Sequence, residues 1–182
     1  MAAASRSRTH WGQCHSLLLR GAPVLWRNDF EMIKMNIRKA TSADLTVVSK
    51  IFDEYRQFYG RESDLDGAHA FLKDRIHHGE STILLATDTD GRVAGFTQLY
   101  PGFSSVSMGR ILILNDLFIR PEYRGRGIAQ KLIQSGIDFA RESGTIRLSL
   151  STARTNSSAQ ALYEKLGWKK EEEFTSYDFF LS

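Results

Sequence analysis

The spacing of apolar residues in the first half of the sequence is typical of two helices. Side chains three or four positions apart form the apolar face of a first helix, which comprises Leu45, Val48, Phe52, Tyr55 and Tyr59. Thr41 and Asp44 can cap its first turn, and Gly60 ends it. A second helical stretch follows and closes near Gly79.

The pattern then changes to the alternation of strands. Residues 82–87 and 92–100 flank an Asp-Gly turn, which predicts a β-hairpin. Pro101 and Gly102 are expected to break the second of these strands. Residues 103–108 then have the composition of a serine-rich loop.

A long apolar stretch, residues 110–119, predicts a strand buried on both faces. After a glycine-containing loop, the remaining segments predict a helix over 128–142, a strand over 146–150, a helix over 156–166 and strands over 168–174 and 177–181. With a short strand over 35–39 at the start, the order is β-α-α-β-β-β-α-β-α-β-β. That order predicts one α/β domain around a mixed sheet.

The composition is that of a globular domain. Of the 182 residues, 42% are hydrophobic and 25% charged, which excludes wholesale disorder. The single cysteine, Cys14, cannot form an internal disulfide, and no Cys/His cluster has the spacing of a zinc site. Apolar runs such as Ile111–Leu114 are far shorter than the roughly 20 residues of a membrane span. We therefore expect no metal, no membrane partner and a cytoplasmic location.

The net charge of +3 comes from the N-terminal segment. Residues 1–28 hold four arginines and no acidic residue, whereas the other 154 residues hold 20 basic and 21 acidic side chains. Because the body is nearly neutral, the charge does not predict nucleic-acid binding. Residues 1–34 are open to three interpretations: a transit-type presequence, a disordered arm, or an extension upstream of a true start at Met32 or Met35. The domain itself is expected over residues 35–182.

The loop after the long strand carries the chemical signal. In Arg124-Gly125-Arg126-Gly127-Ile128-Ala129 the glycines let the backbone curl at the start of a helix, so that successive N–H groups point at one place. Basic side chains surround this turn, namely Arg120, Arg124, Arg126 and Lys131. The pattern predicts a cradle for a phosphate or pyrophosphate, the alternative being a tight strand–helix connection with solvated arginines. It matches neither a P-loop nor the dinucleotide-binding fingerprint, whose third glycine would fall on Gln130.

Two sequence blocks resemble the GNAT family of N-acetyltransferases. The loop matches the family signature Arg/Gln-x-x-Gly-x-Gly/Ala. A downstream block resembles the motif Asn-x-x-Ala-x-x-Leu-Tyr-x-x-x-Gly-Phe through Asn156, Ala159, Leu162-Tyr163 and Leu166-Gly167-Trp168. The resemblance covers about residues 35–182 and implies a single GNAT-type domain, with a mixed, mostly antiparallel central sheet that is splayed at the cofactor site and flanked by helices. Such domains often dimerise, so a homodimer is an expectation.

The resemblance also implies acetyl-coenzyme A as co-substrate and a transfer without an acyl-enzyme. Backbone N–H groups would bind its pyrophosphate at Arg124, Gly125, Arg126, Gly127, Ile128 and Ala129. The strand end at Leu117, Phe118 and Ile119 would pair with its pantetheine arm, and the Phe118 N–H would lie near the thioester oxygen. Asn156 would contact the same arm, cap its helix, or do both.

Catalytic roles follow from the same resemblance. Tyr163 matches a tyrosine that protonates the departing thiolate, although a core tyrosine would satisfy the pattern too. For the base, some polyamine-acetylating relatives have Glu-Asp-Leu-Tyr where this sequence has Asn115-Asp116-Leu117-Phe118. Asn115 cannot take a proton. The remaining candidates are Asp116, if a bulge turns it toward the site, and a water that relays the proton to Glu54 or another carboxylate.

The acceptor is expected to be a primary amine of a small molecule, such as a polyamine or an amino acid. Aromatic rings beside carboxylates suit a cationic amine, which makes candidates of Tyr55, Tyr59, Tyr100 and Glu54. Tyr55 and Tyr59 could equally be core residues. The alternatives to this function are a protein or peptide amine as acceptor, and a non-catalytic acyl-coenzyme A-binding module.

Overall fold

Five strands form one sheet in the computed structural model of the chain, which describes residues 34–181. They are β1 (Asn36–Lys39), β2 (Thr82–Thr87), β3 (Val93–Ser104), β4 (Gly109–Ile119) and β5 (Arg147–Leu150). The strands lie side by side in this order, and each neighbouring pair is antiparallel except β4 and β5, which are parallel. This mixed, mostly antiparallel sheet confirms the predicted fold class.

Helices pack on both faces of the sheet. They are α1 (Leu45–Phe58), α2 (Leu65–His77), α3 (Ile128–Glu142) and α4 (Ser157–Lys165). On one face, α1 and α2 bury Ile51 and Leu72 against Phe96 of β3. On the other face, α3 buries Leu132 against Leu99 of the same strand. The four predicted helices are confirmed.

The strand β3 continues through Pro101 and Gly102 to Ser104, so the predicted break is wrong. Beyond Leu99, which pairs with Thr82 at the limit of β2, β3 has a neighbour on one side only. A proline is tolerated there because its missing N–H can face the open side. Local sequence does not reveal which strand edges are free.

A β-bulge at Asn115 divides β4 into two parts. Gln98 of β3 pairs with Asp116, and Leu99 pairs with Leu114, so Asn115 has no partner across the strands. Such an extra residue reverses the face to which all later side chains of the strand point.

The bulge explains the burial of β4. Leu114, before the bulge, packs in the core under α3, whereas Phe118, after it, packs in the core under α1 and α2. Ile113 and Asn115 are exposed. The prediction of a strand buried on both faces is therefore wrong, because the helices cover one face of β4 before the bulge and the opposite face after it.

The strands β4 and β5 separate halfway along β4. Their pairing ends at Leu114 and Leu150, whereas β4 continues to Ile119. On the β5 side, residues 115–119 therefore have no neighbouring strand. We call this opening the β4–β5 gap; it lies beside the start of α3.

The chain after α4 has no strand up to residue 181, so the strands predicted over 168–174 and 177–181 are wrong. Its aromatic side chains, including Phe174, Tyr177 and Phe179, are exposed. Alternating aromatic residues favour a strand, but a strand also needs a partner, which local sequence does not supply.

Two sequence predictions concern the chain as a whole. No helix within residues 34–181 is long and apolar enough to cross a membrane. The interpretations of the basic N-terminal segment fall on residues outside those that the structure describes, and the domain boundary near residue 35 stays a prediction.

Candidate active site

The loop between β4 and α3 presents a row of free backbone N–H groups. Gly125 and Gly127 both have φ of +74°, a left-handed conformation that glycine adopts without strain. Among the described residues, none of the N–H groups from Gly125 to Ala129 donates to a backbone acceptor. They open the 15-residue helix α3, whose dipole adds partial positive charge. This geometry suits the binding of an anion.

Space is open beside the two glycines. A Cβ at Gly125 or Gly127 would meet no protein atom within 4 Å. Packing therefore does not require glycine at either position, whereas the left-handed backbone favours it. The arrangement leaves room for a ligand against the loop.

Arg120 does not contribute a free positive charge to the cradle. Its guanidinium donates to both carboxylate oxygens of Glu54, at 2.7 Å each, and to the Val93 carbonyl at 2.7 Å. The pair ties α1 to the end of β4. Glu54 is therefore paired with Arg120, and it does not line the cavity described below.

The other arginines of the loop lie on aromatic rings. Arg124 donates to the Ile119 carbonyl at 2.9 Å, and its guanidinium lies over the rings of Phe58 and Phe118. Arg126 lies over Tyr123. Within residues 34–181 neither arginine forms a salt bridge, so both charges remain available near the cradle.

A cavity of about 110 Å³ lies at the β4–β5 gap. Its walls come from α1, β4, the segment after β5 and α4, and they comprise Tyr55, Tyr59, Leu114, Asn115, Leu117, Ser151, Thr152, Asn156, Ala159 and Tyr163. This lining contains no Asp, Glu, Lys, Arg or His side chain. Residues 34–181 hold no group of three His, Cys, Asp or Glu side chains that could bind a metal ion.

Two N–H groups of β4 face the gap beside this cavity. The Arg120 N–H donates to the Ala94 carbonyl of β3 at 3.0 Å, and backbone groups alternate in direction along an antiparallel strand. The N–H of Phe118 therefore points toward β3, while those of Leu117 and Ile119 point into the gap. The Phe118 N–H, which was expected near the thioester oxygen, is therefore not one of the two that face the gap.

Tyr163 lies half-buried in the wall of the cavity. Its ring packs against Trp168, with centroids 5.9 Å apart. Burial raises the pKa of its hydroxyl, and Tyr59 adds to the shift. The hydroxyl therefore keeps its proton at neutral pH and can donate it.

Asn156 caps α4 and also lines the cavity. Its Oδ1 accepts from the Ala159 N–H at 3.2 Å and from the Ser158 hydroxyl at 3.1 Å. Capping occupies the oxygen only, so the side-chain NH₂ is left to contact a ligand. The two roles considered for this residue are compatible.

Asp116 faces α1 because of the bulge and is 4% exposed. Its Oδ1 accepts from the Asn115 side chain at 3.1 Å, and its Oδ2 has no hydrogen-bond partner among the described residues. Burial raises the pKa of this carboxyl, and the neighbouring Tyr55 and Asn115 oppose the rise. Asp116 does not line the cavity, but Tyr55 lies beside Asp116 and also lines the cavity.

The three predicted acceptor tyrosines lie at different depths. Tyr55 is half-buried in the cavity wall, and its ring centroid is 5.1 Å from that of Tyr59, which is 65% exposed. Tyr100 does not line the cavity; burial, followed by the charge of Asp116, raises its pKa to about 12. The structure brings Tyr55 and Tyr59 together and places Tyr100 near Asp116.

Sequence reasoning missed Gln98, Ser151 and Thr152. Gln98 is fully buried on β3 opposite Asp116, and the available signal was a glutamine inside an apolar strand. Ser151 and Thr152 reach the cavity because they follow β5 where it leaves β4. Their only signal was their position after a strand.

Comparisons with known proteins agree with this geometry. The sequence model of the Acetyltransferase (GNAT) family matches residues 48–168, about two thirds of the chain. The uncharacterized N-acetyltransferase YhfO of Bacillus subtilis is 46% identical over 143 residues, which cover 79% of this chain and 95% of that protein. A thialysine N-epsilon-acetyltransferase of Bos taurus is 36% identical over 75 residues, which cover 41% of this chain and 44% of that protein.

Two solved structures share the fold. One, of a probable acetyltransferase, has a TM-score of 0.77 at 38% sequence identity and covers 81% of this chain and 98% of its own. The other, a ribosomal-protein-alanine N-acetyltransferase from Brucella melitensis, has a TM-score of 0.65 at 22% identity, with 81% and 100% covered. The family match and these relatives show that the chain belongs to the GNAT family and is an N-acetyltransferase.

Proposed function

We propose that the protein uses acetyl-coenzyme A as its acetyl donor. The observation that carries the proposal is the row of free N–H groups from Gly125 to Ala129 beside an unpaired strand edge. A pyrophosphate supplies oxygen acceptors for such a row. An extended pantetheine arm can pair with the Ile119 N–H, as an added strand would, which leaves the Leu117 N–H for the acetyl group. The open space at the two glycines of the loop supports the fit.

The proposed reaction is a direct transfer of the acetyl group to a primary amine. A C–N bond forms between the amine nitrogen and the acetyl carbon, and the C–S bond of the thioester breaks. The Leu117 N–H would stabilise the negative charge that develops on the acetyl oxygen. Tyr163 would give its proton to the sulfur, and the second proton that the nitrogen loses as the amide forms would reprotonate Tyr163.

We propose Asp116, rather than Glu54, as the base that first removes a proton from the acceptor ammonium. Glu54 is held by Arg120, whereas Asp116 keeps an oxygen without a partner. A carboxyl whose pKa is raised by burial is better matched to proton transfer near neutral pH than an ordinary one. Tyr55 would connect Asp116 to the cavity.

We propose a small-molecule primary amine as the acceptor. A cavity of about 110 Å³ admits one amine-bearing end, and the faces of Tyr55 and Tyr59 suit an ammonium group. The named relatives include an enzyme for thialysine and one for a ribosomal protein. The test must therefore separate small amines from peptides.

The test is a thiol-release screen with acetyl-coenzyme A across small amines, polyamines, amino acids and short peptides, with mass spectrometry of the products. We expect release and acetylated product with small amines at a higher rate than with peptides. Product with peptides alone would overturn the acceptor class, and no release with any amine would overturn the proposed donor or reaction.

A variant of the loop tests the cradle by calorimetric titration with coenzyme A. Gly127→Val should keep the fold and bind coenzyme A about 100-fold more weakly, because the left-handed backbone is lost and a side chain enters the open space. Unchanged affinity in Gly127→Val would count against the cradle.

A further inference from the structure

Three unpartnered polar atoms lie together in the core behind the cavity. They are Nε2 and Oε1 of Gln98 and Oδ2 of Asp116, and none has a hydrogen-bond partner among the described residues. Gln98 has no exposed surface, and Asp116 is 4% exposed. Buried polar groups without partners are costly and rare, so three of them on two neighbouring side chains require an explanation.

The sheet places these two side chains opposite each other. Gln98 and Asp116 are direct partners in the β3–β4 pairing, immediately before the bulge interrupts it. The Arg120 N–H points toward β3, and because backbone groups alternate in direction along β4, those of Asp116 point toward β3 as well. Gln98 and Asp116 therefore form a hydrogen-bonded pair. The Cα atoms of such a pair lie about 5.5 Å apart, and its two side chains lie on the same face of the sheet. Rotation of the Gln98 side chain can therefore bring its N–H to the free oxygen of Asp116.

Each element packed around this pair brings a polar or charged group to it. Tyr55 of α1 and Asn115 of the bulge lie beside the Asp116 carboxyl, and the Tyr100 hydroxyl of β3 lies beside the Gln98 amide. The charge of Arg75 on α2 opposes the rise in the pKa of Tyr100, and Arg75 is itself paired with Glu80. Of these groups, Tyr55 and Asn115 also line the cavity, so the pair is connected to the space where an acceptor would bind.

We propose that Gln98 is a positioning residue for Asp116, whose ionised carboxylate it holds toward Tyr55 by donating to Oδ2. The inference rests on the proposed transferase function and deepens it. The acceptor ammonium loses one N–H proton to the Tyr55 oxygen while the Tyr55 O–H proton passes to Asp116. Tyr55 ends neutral, and Asp116 ends as a carboxylic acid. Gln98 therefore sets the pH above which Asp116 can take the proton.

The first test is the pH dependence of kcat/KM in Gln98→Met and Gln98→Glu. Methionine keeps the length of the side chain without its polar atoms. Loss of the donor should move the acidic limb about one pH unit higher, and a second carboxyl in Gln98→Glu should move it further. The KM for acetyl-coenzyme A should not change. Measuring two amines of different pKa separates this limb from one that belongs to the acceptor.

Gln57→Met is the matched control. Gln57 donates to another buried carboxylate, Asp53, at 2.9 Å, and neither residue lines the cavity. This variant should lower stability without moving the acidic limb. A shift as large as that of Gln98→Met would overturn the specific role of Gln98.

A second readout does not depend on catalysis. A carboxyl ¹³C NMR titration, with Asp116 assigned through Asp116→Asn, should show Asp116 titrating about one unit higher in Gln98→Met. If that variant does not fold, Gln98→Glu serves instead, and its Asp116 carboxyl should also titrate at a higher pH. An unmoved titration in the folded Gln98 variants overturns the inference. Absence of acetyl transfer in the unmutated protein would instead overturn the proposed function, and the titration would still decide the coupling.

Discussion

Two carboxylates on the α1 side of the sheet have almost the same exposed fraction but differ in their partners. Asp53 is 5% exposed and accepts hydrogen bonds from Arg56, Gln57, Ser63 and Asp64. Asp116 is 4% exposed, accepts from Asn115 and keeps one oxygen without a partner. The backbone N–H of Asp64 is the main cause that lowers the pKa of Asp53, whereas burial raises the pKa of Asp116.

By this contrast, a small exposed fraction alone does not separate the proposed base from a structural carboxylate. Asp53 uses its acceptor capacity to join the end of α1 to the segment before α2, which is a structural task. Asp116 has unused capacity and a neighbour, Tyr55, that reaches the cavity. The number and origin of the donors around a buried acid therefore distinguish the two roles.

The largest effect should come from Tyr163, the residue proposed to protonate the departing thiolate. We expect Tyr163→Phe to lower kcat by about 10²–10⁴-fold and to leave coenzyme A affinity unchanged, because only the departing thiolate loses its proton source. Steady-state kinetics and calorimetric titration measure both quantities. The acidic limb assigned to Asp116 should persist in this variant; unchanged turnover would contradict the role of Tyr163.

The two carboxylates should separate in activity. Asp116→Asn should lower kcat/KM at neutral pH by about 10²-fold, because the amide cannot take the acceptor proton. Asp53→Asn, compared at equal concentrations of folded protein, should stay within about threefold of the unmutated value, since it lies away from the cavity. Equal losses in both variants would show that burial, not partnering, governs the effect.

The same variants should rank in the reverse order in stability. Asp53→Asn should lower the free energy of unfolding by about 3 kcal/mol, because it disrupts a fully hydrogen-bonded buried carboxylate. Asp116→Asn should change it by less than about 1 kcal/mol, because it removes a buried charge that has few partners. Urea unfolding at neutral pH measures both values, and a larger loss for Asp116→Asn would contradict this ranking.

The smallest effect concerns the pH dependence of stability. The stabilisation by Asp53 should be present above the ordinary aspartate pKa of about 3.9 and be lost as the pH falls through its lowered folded value. Asp116 should act with the opposite sign: its contribution is present below about pH 3.9 and is lost as the pH rises through its raised folded value. Urea unfolding between pH 2.5 and 7 measures the free energy of unfolding. In Asp53→Asn this free energy should fall less steeply toward acidic pH than in the unmutated protein. In Asp116→Asn the decrease that the unmutated protein shows toward neutral pH should be absent.

The loop proposed to bind the donor is predictable from sequence because its geometry is local. Six consecutive residues, 124–129, supply the glycines, the helix start and the N–H groups of the cradle. The block around Tyr163 similarly places that side chain on α4 without reference to other segments. Where one short segment provides the geometry, its spacing is enough to predict it.

The acceptor side is less predictable because it depends on register between distant strands. The bulge at Asn115 decides that Asp116 faces α1 and that Leu117, not Phe118, turns its N–H to the gap. Glu54 is paired with Arg120, 66 residues away, and no local pattern predicts that contact. The same limitation explains the strands wrongly predicted after α4, which have no partner among the described strands.

The most direct test of the central claim is a backbone-amide NMR titration of the protein with coenzyme A. The account predicts that the largest shifts fall on the N–H groups from Gly125 to Ala129 and on those of Leu117 and Ile119, with a smaller shift for Phe118, whose N–H points toward β3. Binding that shifts other amides and leaves this row unchanged would contradict the claim that the β4–α3 loop and the β4–β5 gap hold the donor.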